Sequence, residues 1–312
     1  MIIIDLLLFI VACFFFAISG HMVVKSILKI ENYFQLREFI VGLAVIGIST
    51  SIPELSVGLM SALSQLSSLS FGNIIGANIV DLTVVIGIVA IVGKSVKFEA
   101  EIEKRSIFLI AGMVFLPIFL FLDHELSRLD GIMLIGAFLF YIISLVSRRK
   151  RFKVVRDGRT KKGEVLKYII FFVVSLISLV LFARIIVHAA SEIAVELMVP
   201  PILIGLVVIS IGTTLPEMFF ETESVLKGHS SIAVGDLLGS LAFNSTLILG
   251  IVALISPVHA HFSTFLVSSA FLVIAILTFI IFVKTDRSVT RKEGIILLMI
   301  YFLFLIFSIL TE

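Results

Sequence analysis

Ten apolar runs, at roughly 2–24, 36–63, 72–93, 105–123, 129–147, 167–190, 199–226, 235–256, 263–284 and 291–310, constrain this chain more than any other feature. Each is long enough to cross a hydrocarbon core of about 30 Å. Only helices and closed barrels satisfy their backbone polar groups in lipid. The runs lack the alternation of apolar and polar residues that a membrane barrel requires. They therefore predict an all-α integral membrane protein with ten transmembrane helices. A chain of 312 residues could by length be two soluble domains, but 60% hydrophobic residues, 15% charged residues and a mean hydropathy of +1.23 exclude that class. The first run follows Met1 with no basic segment before it and no small-residue cleavage site after it, so it reads as a retained helix. Cys13 is the only cysteine; it excludes an internal disulfide and a Cys-based zinc site, and reads as a packing residue.

The basic residues give the orientation. With the polar segment 148–166 placed in the cytoplasm and the helices alternating, the loops on that side carry 22 of the 24 Lys and Arg; the exceptions are Arg128 and Arg184. The positive-inside rule then puts both termini outside the cell membrane. The run from Arg148 to Lys162 reads as the basic linker that this topology requires, with some attraction to anionic lipid, and not as a nucleic-acid site.

The chain also repeats itself at an offset of 163 residues. Gly42 pairs with Gly205, Thr50 with Thr213, Pro53 with Pro216, Glu54 with Glu217, Gly72 with Gly235, Gly76 with Gly239 and Gly87 with Gly250. Residues 1–147 and 167–312 are thus two five-helix repeats. Five is odd, so the second enters the membrane inverted. Inverted repeats are the architecture of many secondary transporters, which bind substrate near the midplane between the halves.

The chemistry lies in the repeated motifs Thr50-Ser51-Ile52-Pro53-Glu54 and Thr213-Thr214-Leu215-Pro216-Glu217. A carboxylate at a helix centre costs about 2.5–3.5 kcal/mol on insertion scales, so Glu54, Glu217 and Asp81 need compensation. Helical spacing puts Thr50, Ser51 and Glu54 along one face, and Thr213, Thr214 and Glu217 along another. Pro53 and Pro216 leave the carbonyls of Ser49 and Gly212 without a helical donor. In the next helix of each half, Asn73, Ala77 and Asp81 form one stripe, and Asp236, Ser240 and Asn244 the other. The glycine pairs Gly72/Gly76 and Gly235/Gly239 have the small-xxx-small spacing that would bring these stripes against the Glu-bearing helices. The pooled donors are carboxylate, hydroxyl, amide and carbonyl oxygens, which suit hard cations such as Ca²⁺ better than zinc or copper. His21, His124, His188, His229, His259 and His261 fall near helix ends or in loops and read as solvated.

These motifs resemble the alpha repeats of the sodium/calcium exchanger family, within the cation/calcium antiporter superfamily. Residues 42–54 read Gly-Leu-Ala-Val-Ile-Gly-Ile-Ser-Thr-Ser-Ile-Pro-Glu and 72–78 Gly-Asn-Ile-Ile-Gly-Ala-Asn, with counterparts at 205–217 and 235–240. The resemblance implies a site where Ca²⁺ and Na⁺ compete, with Glu54 and Glu217 the main Ca²⁺ ligands and Thr50, Ser51, Thr213, Thr214 and Ser240 serving Na⁺ or both. No cofactor and no enzyme activity are implied, and one chain holds a complete site. The chain departs from the family pattern at Ser49, at Asp236, at Ala77 (where a Ser would help hold Na⁺) and in carrying Asp81 with Asn244 where the reverse pair is usual. Glu221, one turn beyond Glu217, either lines an access path or faces water, as Glu223 does. A Ca²⁺/H⁺ antiporter of the same superfamily is the nearest alternative. A cation channel and an intramembrane aspartyl or glutamyl protease are further ones, though neither requires the Thr, Ser and Pro set beside each acid.

Overall fold

The computed structural model describes residues 2–34, 46–97, 104–147, 162–228 and 230–310. Its helices are α1 (Ile2–Phe34), α2 (Ile46–Thr50), α3 (Ile52–Leu63), α4 (Ser67–Val80), α5 (Ile86–Val92), α6 (Lys104–Leu120), α7 (Arg128–Ser147), α8 (Lys162–Leu197), α9 (Pro201–Ile204), α10 (Ser210–Leu226), α11 (Ser230–Ala242), α12 (Leu249–Ile255), α13 (Phe262–Asp286) and α14 (Arg291–Leu310). Three π turns, Asp81–Val85, Gly205–Ile209 and Phe243–Ile248, join α4 to α5, α9 to α10 and α11 to α12. Among the described residues, seven helices are long and apolar enough to cross a membrane: Ile4–Ser26, Ser67–Val92, Gly163–Leu197, Pro201–Leu226, Ile232–Ile255, Phe262–Thr285 and Arg291–Leu310. Shorter apolar helices occupy Ile52–Leu63 and Ile107–Asp123. The first part of the expected run at 36–63, and the basic segment 148–161, lie outside the described residues.

Two expectations change. The chain is mostly helical but not purely so: β1 (Ser95–Lys97) pairs antiparallel with β4 (Ser288–Thr290), and β2 (Glu125–Leu126) with β3 (Val258–His259). These ladders satisfy the backbone of loops that leave the helices side by side. The first and sixth expected helices are also longer than their apolar runs, because α1 continues to Phe34 and α8 starts at Lys162, inside the expected linker. The two pack along one another, with Phe15 stacked on Phe182 at 5.4 Å between centroids. Their shared core includes Phe9, Phe16, Leu179 and Ala183. Outward, α1 and α8 expose Ile4, Leu7, Phe14, Ile170, Ile177 and Leu181, a surface that lipid and not water would cover.

The packing is dictated by small residues. Gly76 of α4 lies against the Leu206 carbonyl and Ser210, while Gly47 of α2 lies against Gly239 of α11. Adding 163 to 76 and to 47 gives 239 and 210, so these are one contact made twice. Gly87 against the Gly294 carbonyl and Gly250 against the Gly131 carbonyl are another such pair, since 87 becomes 250 and 131 becomes 294. The helix starts repeat as well. The Ser127 N–H donates to Asp130 Oδ2 at 2.8 Å and the Thr290 N–H to Glu293 Oε2 at 2.7 Å, reciprocal capping boxes at the heads of α7 and α14. At two π turns, Thr83 and Thr246 donate their hydroxyls to the carbonyls of Ile79 and Ala242, four residues back.

Candidate functional site

The two Pro-Glu motifs meet the two polar stripes deep inside the helices. Ser51 leaves helical geometry between α2 and α3, with φ −87° and ψ 10°, although its N–H still donates to the Gly47 carbonyl at 3.2 Å and its carbonyl still accepts from Leu55 at 3.1 Å. Pro53 then sits in the first turn of α3, where a missing N–H costs least. The second motif lies within the uninterrupted α10, with Pro216 inside the helix and a π turn upstream at Gly205–Ile209. Gly20 of α1 crosses both prolines: a Cβ there would come within 2.9 Å of Pro216 Cγ and 3.2 Å of Pro53 Cγ.

Every candidate ligand is buried except Gly212, which is partly exposed near Cys13. Thr50 donates to Asp236 Oδ1 at 2.7 Å and lies 3.3 Å from the Ser240 hydroxyl. The related bond in the other half runs from Thr213 to Asn73 Oδ1 at 3.3 Å. Here Ala77 occupies the position of Ser240 and offers no hydroxyl. Ser51 donates to Glu217 Oε1 at 3.0 Å, which joins the first motif directly to the second. Its counterpart Thr214 does not reach Glu54 in the same way; it donates to the Ser210 carbonyl at 2.9 Å.

Five carboxyl groups are buried here: Glu54, Asp81, Glu217, Glu221 and Asp236, each no more than 1% exposed. Glu221 is thus resolved as an interior group. Glu223, two residues on, is solvated and paired with Lys227 at 2.8 Å. Among the described residues, both oxygens of Glu54 and of Asp81, one each of Glu217, Glu221 and Asp236, and the whole Asn244 amide have no hydrogen-bond donor or acceptor. Unpartnered buried oxygens in that number cost far more than a stable interior tolerates unless something positive serves them. Among the described residues, no three His, Cys, Asp or Glu side chains close on a single point. A cation here would be held by carboxylates interleaved with hydroxyls. The described histidines lie away from the site: His21, His124, His188, His259 and His261 are exposed, and His229 falls outside the described residues.

Sequence reasoning ranked Asp236 and Glu221 behind the Pro-Glu acids, and it missed the bond from Asn78 Nδ2 to Ser245 Oγ at 2.8 Å, which ties α4 to the π turn after α11. The missed signal for the packing was the same offset, which continues past residue 87 to Ser127 and Thr290, and to Gly131 and Gly294.

Fold and site define a polytopic membrane protein with an oxygen-lined acidic centre buried among its helices. The chain belongs to the sodium/calcium exchanger protein family, whose model matches residues 4–146 and 167–310. It is 27% identical to the sodium/calcium exchanger MaX1 of Methanosarcina acetivorans over 98% of this chain and 99% of that one. It is 28% identical to the putative antiporter CaxA of Alkalimonas amylolytica over 90% and 91%. Its fold matches that of the sodium-calcium exchanger NCX_Mj with a TM-score of 0.69 at 22% identity, covering 98% of this chain and 99% of that one.

Proposed function

We propose that this protein exchanges Ca²⁺ for Na⁺ across the cell membrane by alternating access. In this reading the chain crosses ten times as two inverted five-helix halves, residues 1–147 and 167–312. The basic linker 148–166 is cytoplasmic and both termini are outside. Glu54, Glu217, Asp81, Asn244, Thr50, Ser51, Thr213, Thr214 and Ser240 bind the transported cations, with Asp236, Asn73 and the backbone of Ser49 and Gly212 around them. The observation that carries the reading is the set of five buried acids with no basic partner among the described residues, interleaved with hydroxyls where the two motif helices meet. The paired contacts at an offset of 163 support the two-half architecture.

The coupling follows from charge. An empty site holding several carboxylates is too costly to move past an apolar barrier, because each uncompensated charge in the membrane interior costs kilocalories. Cations that neutralise it remove that cost. Ca²⁺ or Na⁺ thus crosses only in the loaded form, and return requires a second load. The site suits hard cations because every donor is oxygen.

Proteoliposomes containing the purified protein are expected to take up labelled Ca²⁺ when loaded with Na⁺ and to fail to do so when loaded with choline. Equal uptake in both overturns the Na⁺ reading. A Ca²⁺/H⁺ antiporter is favoured by two observations, the missing hydroxyl at Ala77 and the additional buried carboxyls of Glu221 and Asp236. It predicts uptake driven by an imposed pH gradient without Na⁺. Restoring the hydroxyl gives a further check: Ala77→Ser places an oxygen beside Thr213 and is expected to lower the Na⁺ concentration for half-maximal exchange about threefold or more. An unchanged Na⁺ dependence in that variant would remove Ala77 from the Na⁺ site.

A further inference from the structure

The acids are not shared evenly between the two repeats. Adding or subtracting 163 turns Asp81 into Asn244, Asp236 into Asn73 and Glu221 into Gly58. Each of the three acids has an uncharged counterpart, and all three acids have Glu217 as an electrostatic neighbour. Of the five buried acids, only Glu54 and Glu217 are matched by an acid in the other repeat. The centre of symmetry therefore has a heavily charged side and a lightly charged one. Ser51 and Glu217 bridge the two motifs, but Asp81, Glu221 and Asp236 extend the negative charge in one direction only, toward the end of α10 that carries Lys227.

The geometry at Glu221 reinforces this. At its counterpart, Gly58, a Cβ would already meet Ile248 Cγ2 at 3.1 Å, Ser70 Oγ at 3.3 Å and Val252 Cγ2 at 3.3 Å, so that side is closed by packing. On the other side the same position takes a full glutamate at 1% exposure, leaving Oε2 without a donor. The foremost charged neighbour of Glu221 is Asp236, whose Oδ2 also lacks a donor while Oδ1 accepts from Thr50. Glu221 and Asp236 lie on consecutive helices, α10 and α11. One Ca²⁺ between Glu54 and Glu217 serves two of the five buried carboxyl groups and leaves three, Asp81, Glu221 and Asp236, the last two on adjacent helices. Buried charges are paired or bound to metal, because desolvating them alone costs several kcal/mol each.

We propose that Glu221 and Asp236 form a second site for a hard divalent cation such as Ca²⁺, one helical turn from the Glu54–Glu217 pair toward the Lys227 end of α10. The proposal rests on the exchanger reading for the identity of the first site. Two carboxylates on adjacent helices supply the charge. Water completes the shell, as Ca²⁺ takes six to eight oxygens and accepts water among them. In transport, this position receives the ion on its way between the principal site and the face bearing the basic loops. Glu217, adjacent to both positions, is the group that hands it over.

Equilibrium dialysis of the full chain in detergent against radioactive Ca²⁺, without Na⁺ at neutral pH, tests this by counting. Wild type is expected to bind two Ca²⁺ per chain at saturation, while Glu221→Gln and Glu221→Ala each bind one. A wild-type count of one overturns the proposal, as does a count of two retained in both variants. Size-exclusion elution and retention of the first Ca²⁺ identify a folded variant; if neither variant folds, the wild-type count decides alone. Na⁺-driven flux with a count of one would defeat the second site and leave the exchanger intact. A count of two with no Na⁺-driven flux would do the reverse.

Discussion

Glu54→Gln and Glu217→Gln are each expected to abolish Na⁺-driven Ca²⁺ uptake and to weaken Ca²⁺ binding by a hundredfold or more. Glutamine keeps the size and one oxygen of glutamate but removes the charge, so the packing is preserved. The loss is electrostatic. Removing one partner from a buried charged pair costs about 3–5 kcal/mol, and each 1.4 kcal/mol is a factor of ten in affinity. The two variants should differ in degree. Glu217 accepts from Ser51 at 3.0 Å and has Asp81, Glu221 and Asp236 as electrostatic neighbours, so its neutralisation strips charge from the most acidic part of the site. Glu54 has both oxygens unpartnered among the described residues, and its neutralisation disturbs fewer neighbours. Binding measured by calorimetry in detergent should therefore fall further in Glu217→Gln. Wild-type uptake in either variant would refute the ligand assignment.

Much of this site was legible because membrane burial leaves polar residues few explanations. Apolar runs gave the helices, and the offset of 163 gave their pairing. Charge in an apolar helix then pointed to Glu54, Glu217 and Asp81. What periodicity could not supply was the local backbone. Both motifs contain Pro-Glu, yet Ser51 breaks one helix and α10 passes through Pro216 without interruption. Tertiary contacts shape each copy separately: upstream of the second motif, Gly205 packs against the backbone of Leu69 and Asn73. Nor does spacing tell whether a carboxyl one turn past the site is buried. Glu221 and Glu223 look alike in the sequence, and only packing separates the interior group from the one bound to Lys227.

Those backbone contacts carry the second large expected effect. A methyl group at Gly205 would overlap the Leu69 carbonyl oxygen and come within 2.7 Å of the Asn73 nitrogen; one at Gly76 would overlap the Leu206 carbonyl and come within 2.8 Å of Ser210 Cβ. The obstacles are mainly backbone, which cannot rotate aside, so α4 must separate from the α9–α10 segment. That same contact sets the distance between Asn73 and Thr213, whose bond at 3.3 Å is already long. Overpacking a fitted interior costs about 1–3 kcal/mol and more where nothing yields. Gly76→Ala and Gly205→Ala are thus expected to lower the midpoint of thermal unfolding by several degrees and to reduce exchange at least tenfold. Gly76→Val and Gly205→Val are expected to prevent accumulation of folded protein. Gly112 of α6 and Gly136 of α7 are the internal controls, since a Cβ at either meets nothing within 4 Å. Alanine there is expected to keep full exchange and to leave stability unchanged or raise it by up to about 1 kcal/mol, the helix-propensity difference from glycine. Heating in detergent followed by size-exclusion chromatography measures the four alanine variants on one scale. If Gly76→Ala and Gly205→Ala melt with Gly112→Ala, close approach at these glycines does not hold the two halves together.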